Sequence, residues 1–230
     1  ILVEDFSERL VSQGELLAKS LCHRNFGIGA DGLVLITKPT DLFTMRIFNA
    51  DGTEAEMCGN AIRCLADFLL QTGLVSGKSF KIGSLGGTKE IHVDKDRYVV
   101  DMGEPDFSFN RGKELSITTE ARTWTVYPVS MGNPHGVVFV EDVESLDIDT
   151  WGPYLEHDSV WPQKANIEFV QVLASNHLRV KVWERGAGAT LACGTGACAA
   201  SVVANREGLT TGPTKVSLPG GDLLIRRETN

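Results

Sequence analysis

The sequence predicts a fold of two similar lobes in which short strands outnumber helices. Apolar runs rich in β-branched residues recur along the chain and end in glycine, aspartate, asparagine or proline turns, which is the pattern of short strands. The two clearest helical patterns both follow a cysteine and a glycine, so one local element occurs twice. These observations indicate a duplicated arrangement of strands around a few helices.

Five segments carry the strongest strand patterns, because apolar residues alternate within them or fill them. They are Gly32–Ile36, Met45–Phe48, Tyr98–Met102, Gly136–Val140 and Leu178–Trp183. Turn residues bound these segments, which predicts strands joined by short connections.

Three segments have the apolar spacing and end signals that predict helices. The two clearest are Asn60–Gln71 and Thr195–Asn205, which close near Gly73 and Gly208, and glycine is the residue that most often ends a helix. A third helix is expected over Ser12–Cys22.

The tripeptides that introduce the two clear helices indicate where the lobes divide. Cys58-Gly59-Asn60 and Cys193-Gly194-Thr195 lie 135 residues apart, and each follows a strand-like segment. The change of lobe is expected near Gly103–Asp106, where a strand pattern ends in turn residues. We therefore predict an N-terminal lobe of residues 1–104 with Cys58 and a C-terminal lobe of residues 105–230 with Cys193. The last strand is a candidate to return to the first lobe.

Composition limits the function classes. The 230 residues carry a net charge of -8 with scattered basic residues, which argues against nucleic acid or an anionic membrane as partner. No apolar run reaches the length of a membrane helix. The five cysteines are an odd number in a chain long enough to form its own core, which favours reduced thiols. We expect a cytoplasmic protein, or a plastid protein if a transit peptide has been removed.

The two cysteines at helix starts are the candidate catalytic groups. Unpaired backbone N–H groups and the positive end of the helix dipole favour thiolate there, so the pKa of both thiols is expected to fall below about 8.5. Asn60 and Thr195 are predicted capping residues, and Gly59 and Gly194 allow a ligand close to the backbone. One thiolate and one thiol on opposite faces of a carbon can exchange its proton and invert it. Converging N–H groups would bind the substrate carboxylate and stabilise the carbanion.

Other interpretations of the cysteines are weaker. Cys22, Cys64 and Cys198 are expected to be structural, because free cysteine is commonly buried. The spacings from Cys58 to Cys64 and from Cys193 to Cys198 do not match structural zinc sites. No glycine-rich phosphate cradle for a pyridoxal cofactor is evident, so neither a metal nor a cofactor is predicted.

At these residues the sequence resembles the diaminopimelate epimerase family of cofactor-independent amino-acid racemases and epimerases. The resemblance rests on blocks that occur in the family's order and span most of the chain. They are Phe26–Gly32, Arg46–Gly52, Glu56–Cys64, Met131–His135, Asn166–Val170, Trp183–Thr190 and Ala192–Ala197.

The resemblance implies an α+β fold of two pseudo-symmetric lobes, each a mixed barrel-like sheet around a central helix, with the active site in the cleft between them. It implies epimerisation of LL-2,6-diaminopimelate to meso-diaminopimelate, in lysine and peptidoglycan-precursor biosynthesis. The implied catalytic bases are Cys58 and Cys193, with His135 and Glu184 near the thiols to set their protonation. The implied substrate contacts are Asn49, Gly59, Asn60, Asn133, Asn166, Glu184, Arg185, Gly194 and Thr195. Family members often dimerise, so a homodimer is also implied.

Two departures from the family and three alternative functions accompany this resemblance. Gly32 stands where many members carry a substrate-contacting glutamine. The chain also begins just downstream of the family's Gly-x-Gly-Asn-Asp-Phe segment and lacks the usual closing strand with Thr-Gly-Pro after residues 225–227, so the first lobe is expected to lack two strands. One alternative is a proline or hydroxyproline racemase, although those enzymes generally carry histidine at the position of Asn60. The others are a cysteine hydrolase or acyl transferase that uses one cysteine with His135, and a non-catalytic binding module.

Overall fold

Both parts of the chain combine helices with β-sheets, which confirms the predicted α+β class. The computed structural model describes residues 1–95, 97–119 and 121–227, and the chain divides into two units, Ile1–Gly103 and Glu104–Asn230. The boundary at residues 104 and 105 remains a prediction about domains, and residues 228–230 of its second lobe lie outside the described part. Within the described residues, no helix is both long and apolar enough to span a membrane.

In the first unit, the described residues form two α-helices, one short 3₁₀ turn and two small sheets. Its elements are β1 (Leu2–Glu4), α1 (Gly14–Leu21), β2 (Gly32–Thr37), β3 (Thr44–Asn49), β4 (Glu54–Ala55), α2 (Gly59–Gln71), β5 (Ser79–Ile82), β6 (Lys89–Asp94) and β7 (Arg97–Val100). The order β1-β2-β3-β4 forms one sheet, in which only β1 and β2 are parallel, and β5-β6-β7 forms an antiparallel sheet. Backbone hydrogen bonds of Gly83 to Phe43 and Met45 join the two sheets.

The core of the first unit forms around α2. Ile62, Leu65, Ala66 and Leu69 recur at three- and four-residue intervals and are fully buried, so one face of the helix is apolar throughout. This face belongs to a cluster that includes side chains from both sheets. The opposite face carries the exposed Cys64.

The part of the second unit that the structure describes forms two α-helices, a 3₁₀ turn at Phe109–Gly112 and one large sheet. Its elements are β8 (Leu115–Thr118), β9 (Thr123–Ser130), β10 (Pro134–Phe139), α3 (Ile148–Glu156), β11 (Asn166–Ala174), β12 (His177–Glu184), β13 (Gly188–Thr190), α4 (Gly194–Arg206), β14 (Thr214–Leu218) and β15 (Gly221–Ile225). The sheet order is β15-β14-β12-β11-β10-β9-β8, and β13 pairs with β12. The pairs β10–β11 and β12–β14 are parallel, so the sheet is mixed.

Helix α4 is enclosed by this sheet. It contacts strands β9 to β12 as well as β14 and β15, and every residue from Gly194 to Ala204 is buried. Small side chains make this enclosure feasible, because alanine and glycine let the strands approach the helix closely. The start of α4 therefore lies in a water-poor environment.

The observed elements mostly agree with the predicted ones. Helices α2 and α4 confirm the two clear helical patterns, and Gly73 and Gly208 adopt positive φ angles of 70° and 73° directly beyond them. The third predicted helix is split, because Val11–Gln13 forms a short 3₁₀ turn before α1. The strand expected over Tyr98–Met102 ends at Val100.

Helix α3 was not predicted from the sequence. Asp147 caps its start by accepting a hydrogen bond from the Thr150 N–H at 3.2 Å, and Pro153 lies inside the helix. Glycine and proline usually indicate a turn, and here they occur together at positions 152 and 153 of a nine-residue helix.

Candidate active site

The two predicted catalytic cysteines occupy equivalent positions at the starts of α2 and α4. Cys58 has φ -140° and ψ 116°, Cys193 has φ -124° and ψ 120°, and each is the residue that precedes its helix. Extended backbone of this kind is characteristic of an N-cap. The sequence pattern therefore located two helix starts, each with a cysteine at the N-cap position.

The prediction that Asn60 and Thr195 cap these helices is wrong. Both are the second residue of their helix, because the cysteines take the capping conformation. The Asn60 Oδ1 instead accepts a hydrogen bond from Arg63 Nη2 at 2.6 Å. Thr195 Oγ1 lies 3.3 Å from the Cys193 Sγ. The Cys193 sulfur itself accepts the Gly196 N–H at 3.3 Å, so the thiol supplies the capping interaction.

The prediction of a lowered thiol pKa is wrong for Cys193. Burial raises its pKa well above the ordinary value, and the carboxylates of Glu184 and Glu168 raise it further. The hydrogen bonds from Thr195 and the Gly196 N–H act in the opposite direction. Desolvation of a charged sulfur outweighs the helix start here because the side chain is only 6% exposed.

Glu184 pairs with this thiol. It is the last residue of β12, and its carboxylate accepts hydrogen bonds from the Thr190 hydroxyl and from the Cys193 thiol. Burial is the main cause that raises the pKa of Glu184, and these two hydrogen bonds oppose the rise. A carboxylate and a thiol in direct contact can share and relay a proton.

His135 and Asn133 form a second polar group in the same unit. His135 Nε2 lies 2.9 Å from Asn133 Oδ1, and His135 Nδ1 lies 2.7 Å from Glu168 Oε1. The side chains of His135 and Glu168 are both fully buried. Parallel pairing places His135 opposite Asn166 and Val137 opposite Glu168, which brings these residues together across β10 and β11.

Glu168 is the residue of this group that sequence reasoning missed. It lies within the apolar run Asn166–Val170, which resembles a buried strand. The available signal was an acidic residue between two large apolar ones, because such a residue is rarely buried without a partner. The sequence could not identify that partner, which lies 33 positions away.

Asn166 holds the backbone around the site. Its Oδ1 accepts the Arg185 N–H at 2.9 Å, and its Nδ2 donates to the Pro134 carbonyl at 3.0 Å. Both ends of the amide are thus used within the protein, which leaves one N–H for a ligand. The guanidinium of Arg185 donates to the Gln163 carbonyl at 3.2 Å.

In the first unit, Asn49 is the last residue of β3 and lies opposite Gly32 of β2. Its Nδ2 donates to the Thr53 hydroxyl at 3.0 Å. A Cβ on Gly32 would lie 3.0 Å from the Phe48 carbonyl oxygen. A side chain at this position would therefore crowd the backbone of the neighbouring strand. Gly59 follows Cys58 and is buried at the first position of α2.

The described residues include no group of three or more His, Cys, Asp and Glu side chains that could hold a metal ion. The chemistry of the site residues is that of thiols, carboxylates, an imidazole and amides. Such groups can bind a zwitterion and transfer protons.

Comparison with known proteins agrees with this chemistry. The sequence matches the family described as diaminopimelate epimerase over residues 1–108 and 127–230. Diaminopimelate epimerase of Halothermothrix orenii is 44% identical, over 91% of this chain and 80% of the relative. Diaminopimelate epimerase of Synechocystis sp. is 47% identical, over 90% of this chain and 80% of the relative. Diaminopimelate epimerase of Moorella thermoacetica is 42% identical, over 98% of this chain and 86% of the relative.

Solved structures of lower sequence identity share the fold. A probable proline racemase from Agrobacterium radiobacter, with bound carbonate, superposes with a TM-score of 0.70 at 17% identity, over 95% of this chain and 74% of the other. A phenazine biosynthesis protein of the PhzF family from Enterococcus faecalis superposes with a TM-score of 0.67 at 13% identity. The match covers 100% of this chain and 85% of the other. At these identities the similarity concerns the fold alone.

Proposed function

Because the chain belongs to the diaminopimelate epimerase family, we propose that it is an isomerase that converts LL-2,6-diaminopimelate to meso-diaminopimelate. This reaction belongs to lysine and peptidoglycan-precursor biosynthesis. The observation that supports the reaction most strongly is the pair of cysteines in matching N-cap geometry. A helix N-terminus presents N–H groups to an anion, so each cysteine stands beside a position suited to an amino-acid carboxylate.

In the proposed reaction, one thiolate removes the α-proton and the other thiol delivers a proton to the opposite face. The electron pair released at the α-carbon is delocalised into the carboxylate and then takes up the new proton. The first cysteine ends as a thiol and the second as a thiolate, so the protons balance and the roles are exchanged. N–H donors of Gly59, Asn60, Gly194 and Thr195 are proposed to stabilise the intermediate charge.

The environment of Cys193 supports its assignment as the proton donor when Cys58 acts as the base. Burial and two neighbouring carboxylates raise the pKa of Cys193, so it retains its proton at neutral pH. Glu184 accepts a hydrogen bond from this thiol, and His135 lies in the same unit. We assign both as groups that set the protonation of the thiols.

The remaining site residues are proposed to bind the amino acid. Asn49, Asn133 and Asn166 offer amide donors and acceptors, and Arg185 offers a guanidinium that suits a carboxylate. The substrate is a small molecule. We further propose a cytoplasmic homodimer, with lobes of residues 1–104 and 105–230.

The decisive experiment is incubation of the protein with the LL isomer in deuterated water. We expect meso product with deuterium at the inverted carbon, measured by mass spectrometry and NMR. Product without solvent deuterium would contradict the two-base mechanism, and absence of product would contradict the proposed function.

Single replacements Cys58→Ala and Cys193→Ala distinguish the alternatives. A two-base epimerase should lose inversion with either replacement, by about 100-fold or more. A cysteine hydrolase would retain its turnover in one of the two variants. Exchange at the α-carbon of proline or hydroxyproline, with none on diaminopimelate, would instead identify a racemase.

A further inference from the structure

Glu168 is a fully buried acid with no assigned role. It lies in β11 between the buried side chains of Ile167 and Phe169. Its Oε1 is 2.7 Å from His135 Nδ1, whereas its Oε2 has no hydrogen-bond partner among the described residues. A buried carboxylate that is only half satisfied costs free energy. Its placement therefore needs a reason other than packing.

The hydrogen bonds of His135 define where protons lie. Nε2 lies 2.9 Å from the Asn133 Oδ1, which can only accept, so a hydrogen bond in this orientation of the amide requires a proton on Nε2. Nδ1 faces Glu168 Oε1, and a short contact between these two atoms requires one further proton between them. The imidazole and the carboxylate therefore hold two protons together, one of them directed at Asn133.

The proton on Nε2 and the orientation of the Asn133 amide determine each other. With Oδ1 turned to the imidazole, both N–H groups of the Asn133 amide are directed away from the ring. The opposite orientation would place Nδ2 against Nε2 and would require Nε2 to be unprotonated. One buried carboxylate can thus decide whether Asn133 presents a donor or an acceptor to a ligand.

We propose that Glu168 is a positioning residue, which holds the His135 proton on Nε2 and thereby keeps the Asn133 amide as a hydrogen-bond donor to the substrate carboxylate. The identity of this ligand rests on the proposed function. The position of the proton on His135 does not, because it follows from contacts within the protein.

The first turn of α4 is shaped to accept this carboxylate. A Cβ placed on Gly196 would lie 2.7 Å from Glu168 Oε1 and 3.3 Å from the Cys193 Sγ. Glu168 therefore packs against the turn that carries Cys193, where only glycine leaves room. The negative charge of Glu168 at this place opposes thiolate formation at Cys193, in addition to its contact with His135.

Two replacements of Glu168 separate positioning from packing. In Glu168→Gln, the new amide N–H donates to Nδ1, which keeps the proton on Nε2, so we expect the KM for the LL isomer to stay within about twofold of wild type. In Glu168→Leu, Nδ1 loses its partner and the ring is released. We expect KM to rise roughly five- to a hundredfold, with a smaller change in kcat. An unchanged KM in folded Glu168→Leu would overturn the proposal.

Nitrogen-15 NMR of the His135 ring provides a readout that needs no turnover. In the wild type we expect a protonated Nε2, and in Glu168→Gln a neutral ring that keeps this proton. In Glu168→Leu we expect a mixture of the two neutral tautomers. An unprotonated Nε2 in the wild type would overturn the proposal. If the wild type proves inactive, the proposed function fails while this tautomer result still stands.

Glu156 offers a matched control. It is also buried in the second unit, at 4% exposure, and it accepts a hydrogen bond from Trp183 Nε1 at 2.8 Å. Glu156→Leu should lower thermal stability without changing the His135 resonances or KM. An equal rise in KM in Glu156→Leu and Glu168→Leu would show a general loss of stability and would also overturn the proposal. If Glu168→Leu does not fold, the NMR spectra of the wild type and Glu168→Gln decide the matter.

Discussion

The starts of α2 and α4 share one local geometry but differ in their surroundings. Cys58 and Cys193 both precede their helix in extended backbone and are both followed by glycine. Cys58 is half-buried on a helix with one polar face, whereas Cys193 is buried on a helix enclosed by sheet. At the α4 start, the carboxylates of Glu184 and Glu168 raise the pKa of the Cys193 thiol.

This difference teaches that a helix start alone does not determine the proton affinity of a thiol. The N–H groups and the dipole favour thiolate at any such position. Around Cys193, burial and the charges of Glu184 and Glu168 act in the opposite direction and dominate. The local motif therefore does not determine the protonation state of its thiol, and a reaction with one acid and one base requires two groups in different states.

The largest effect is expected from Glu184→Gln. Removal of its negative charge should lower the pKa of Cys193, because Glu184 raises it by Coulombic repulsion of the thiolate. The hydrogen bond that the Glu184 carboxylate accepts from the Cys193 thiol is also weakened. We therefore expect kcat to fall by about 100- to 10,000-fold. Steady-state kinetics with the LL isomer measure this change. Glu144→Gln, at an exposed carboxylate of the same unit, is the control, and equal loss in both variants would contradict the assignment.

A second difference should appear in thiol alkylation. Because burial and two carboxylates raise the pKa of Cys193, its thiolate fraction at neutral pH is small. We expect iodoacetamide to label Cys193 more than about tenfold slower than the exposed Cys64. The rate at Cys193 should keep rising with pH above 9. Peptide mass spectrometry measures both rates, and equal labelling at pH 7 would contradict the raised pKa.

The third residue after each cysteine sharpens the comparison. It is Ala61 in α2 and Gly196 in α4. Gly196→Ala would place a methyl group 2.7 Å from Glu168 Oε1, so we expect a loss of about 1 to 3 kcal/mol of unfolding free energy.

The reverse replacement, Ala61→Gly, is the matched control. It should cost only about 0.5 to 1 kcal/mol, from helix propensity. Chemical denaturation compares the two variants. A smaller loss in Gly196→Ala than in Ala61→Gly would show that Glu168 can move away from α4.

The smallest effect is expected at Arg63, which has no counterpart in α4. Arg63 donates to Asn60 Oδ1 at 2.6 Å and to the Gly59 carbonyl at 2.9 Å, whereas the equivalent position of α4 is Cys198. Arg63→Met should release the Asn60 amide and raise KM by about two- to tenfold, with kcat nearly unchanged. Kinetics at saturating and at low substrate concentration separate the change in KM from the change in kcat. An unchanged KM would mean that other contacts hold Asn60.

Several features followed from short stretches of sequence. Asn60–Gln71 and Thr195–Asn205 were predicted as helices because their apolar spacing and closing glycines are local signals, and both are confirmed to within one residue at each end. The assignment of caps to Asn60 and Thr195 failed, because capping preferences rank asparagine and threonine above cysteine. The structure places the N-caps at Cys58 and Cys193 instead.

Features that depend on distant residues were not predictable in this way. The contact between His135 and Glu168 joins two strands through a parallel register, and no spacing rule relates positions 135 and 168. Asn166 was expected as a substrate contact, but its two hydrogen bonds to Pro134 and to the Arg185 N–H also give it a structural role. Such dual roles become visible only when the partners are identified.

The sequence by itself determined the two helix starts, the pair of thiols and the family to which the chain belongs. These depend on local patterns and on residue identity, which are written directly in the chain. Only the tertiary structure decided that Cys193 is buried beside Glu184 and Glu168, which raise the pKa of its thiol. Desolvation and charge interactions depend on which groups surround an atom, and that surrounding is created by the packing of strands far apart in the sequence.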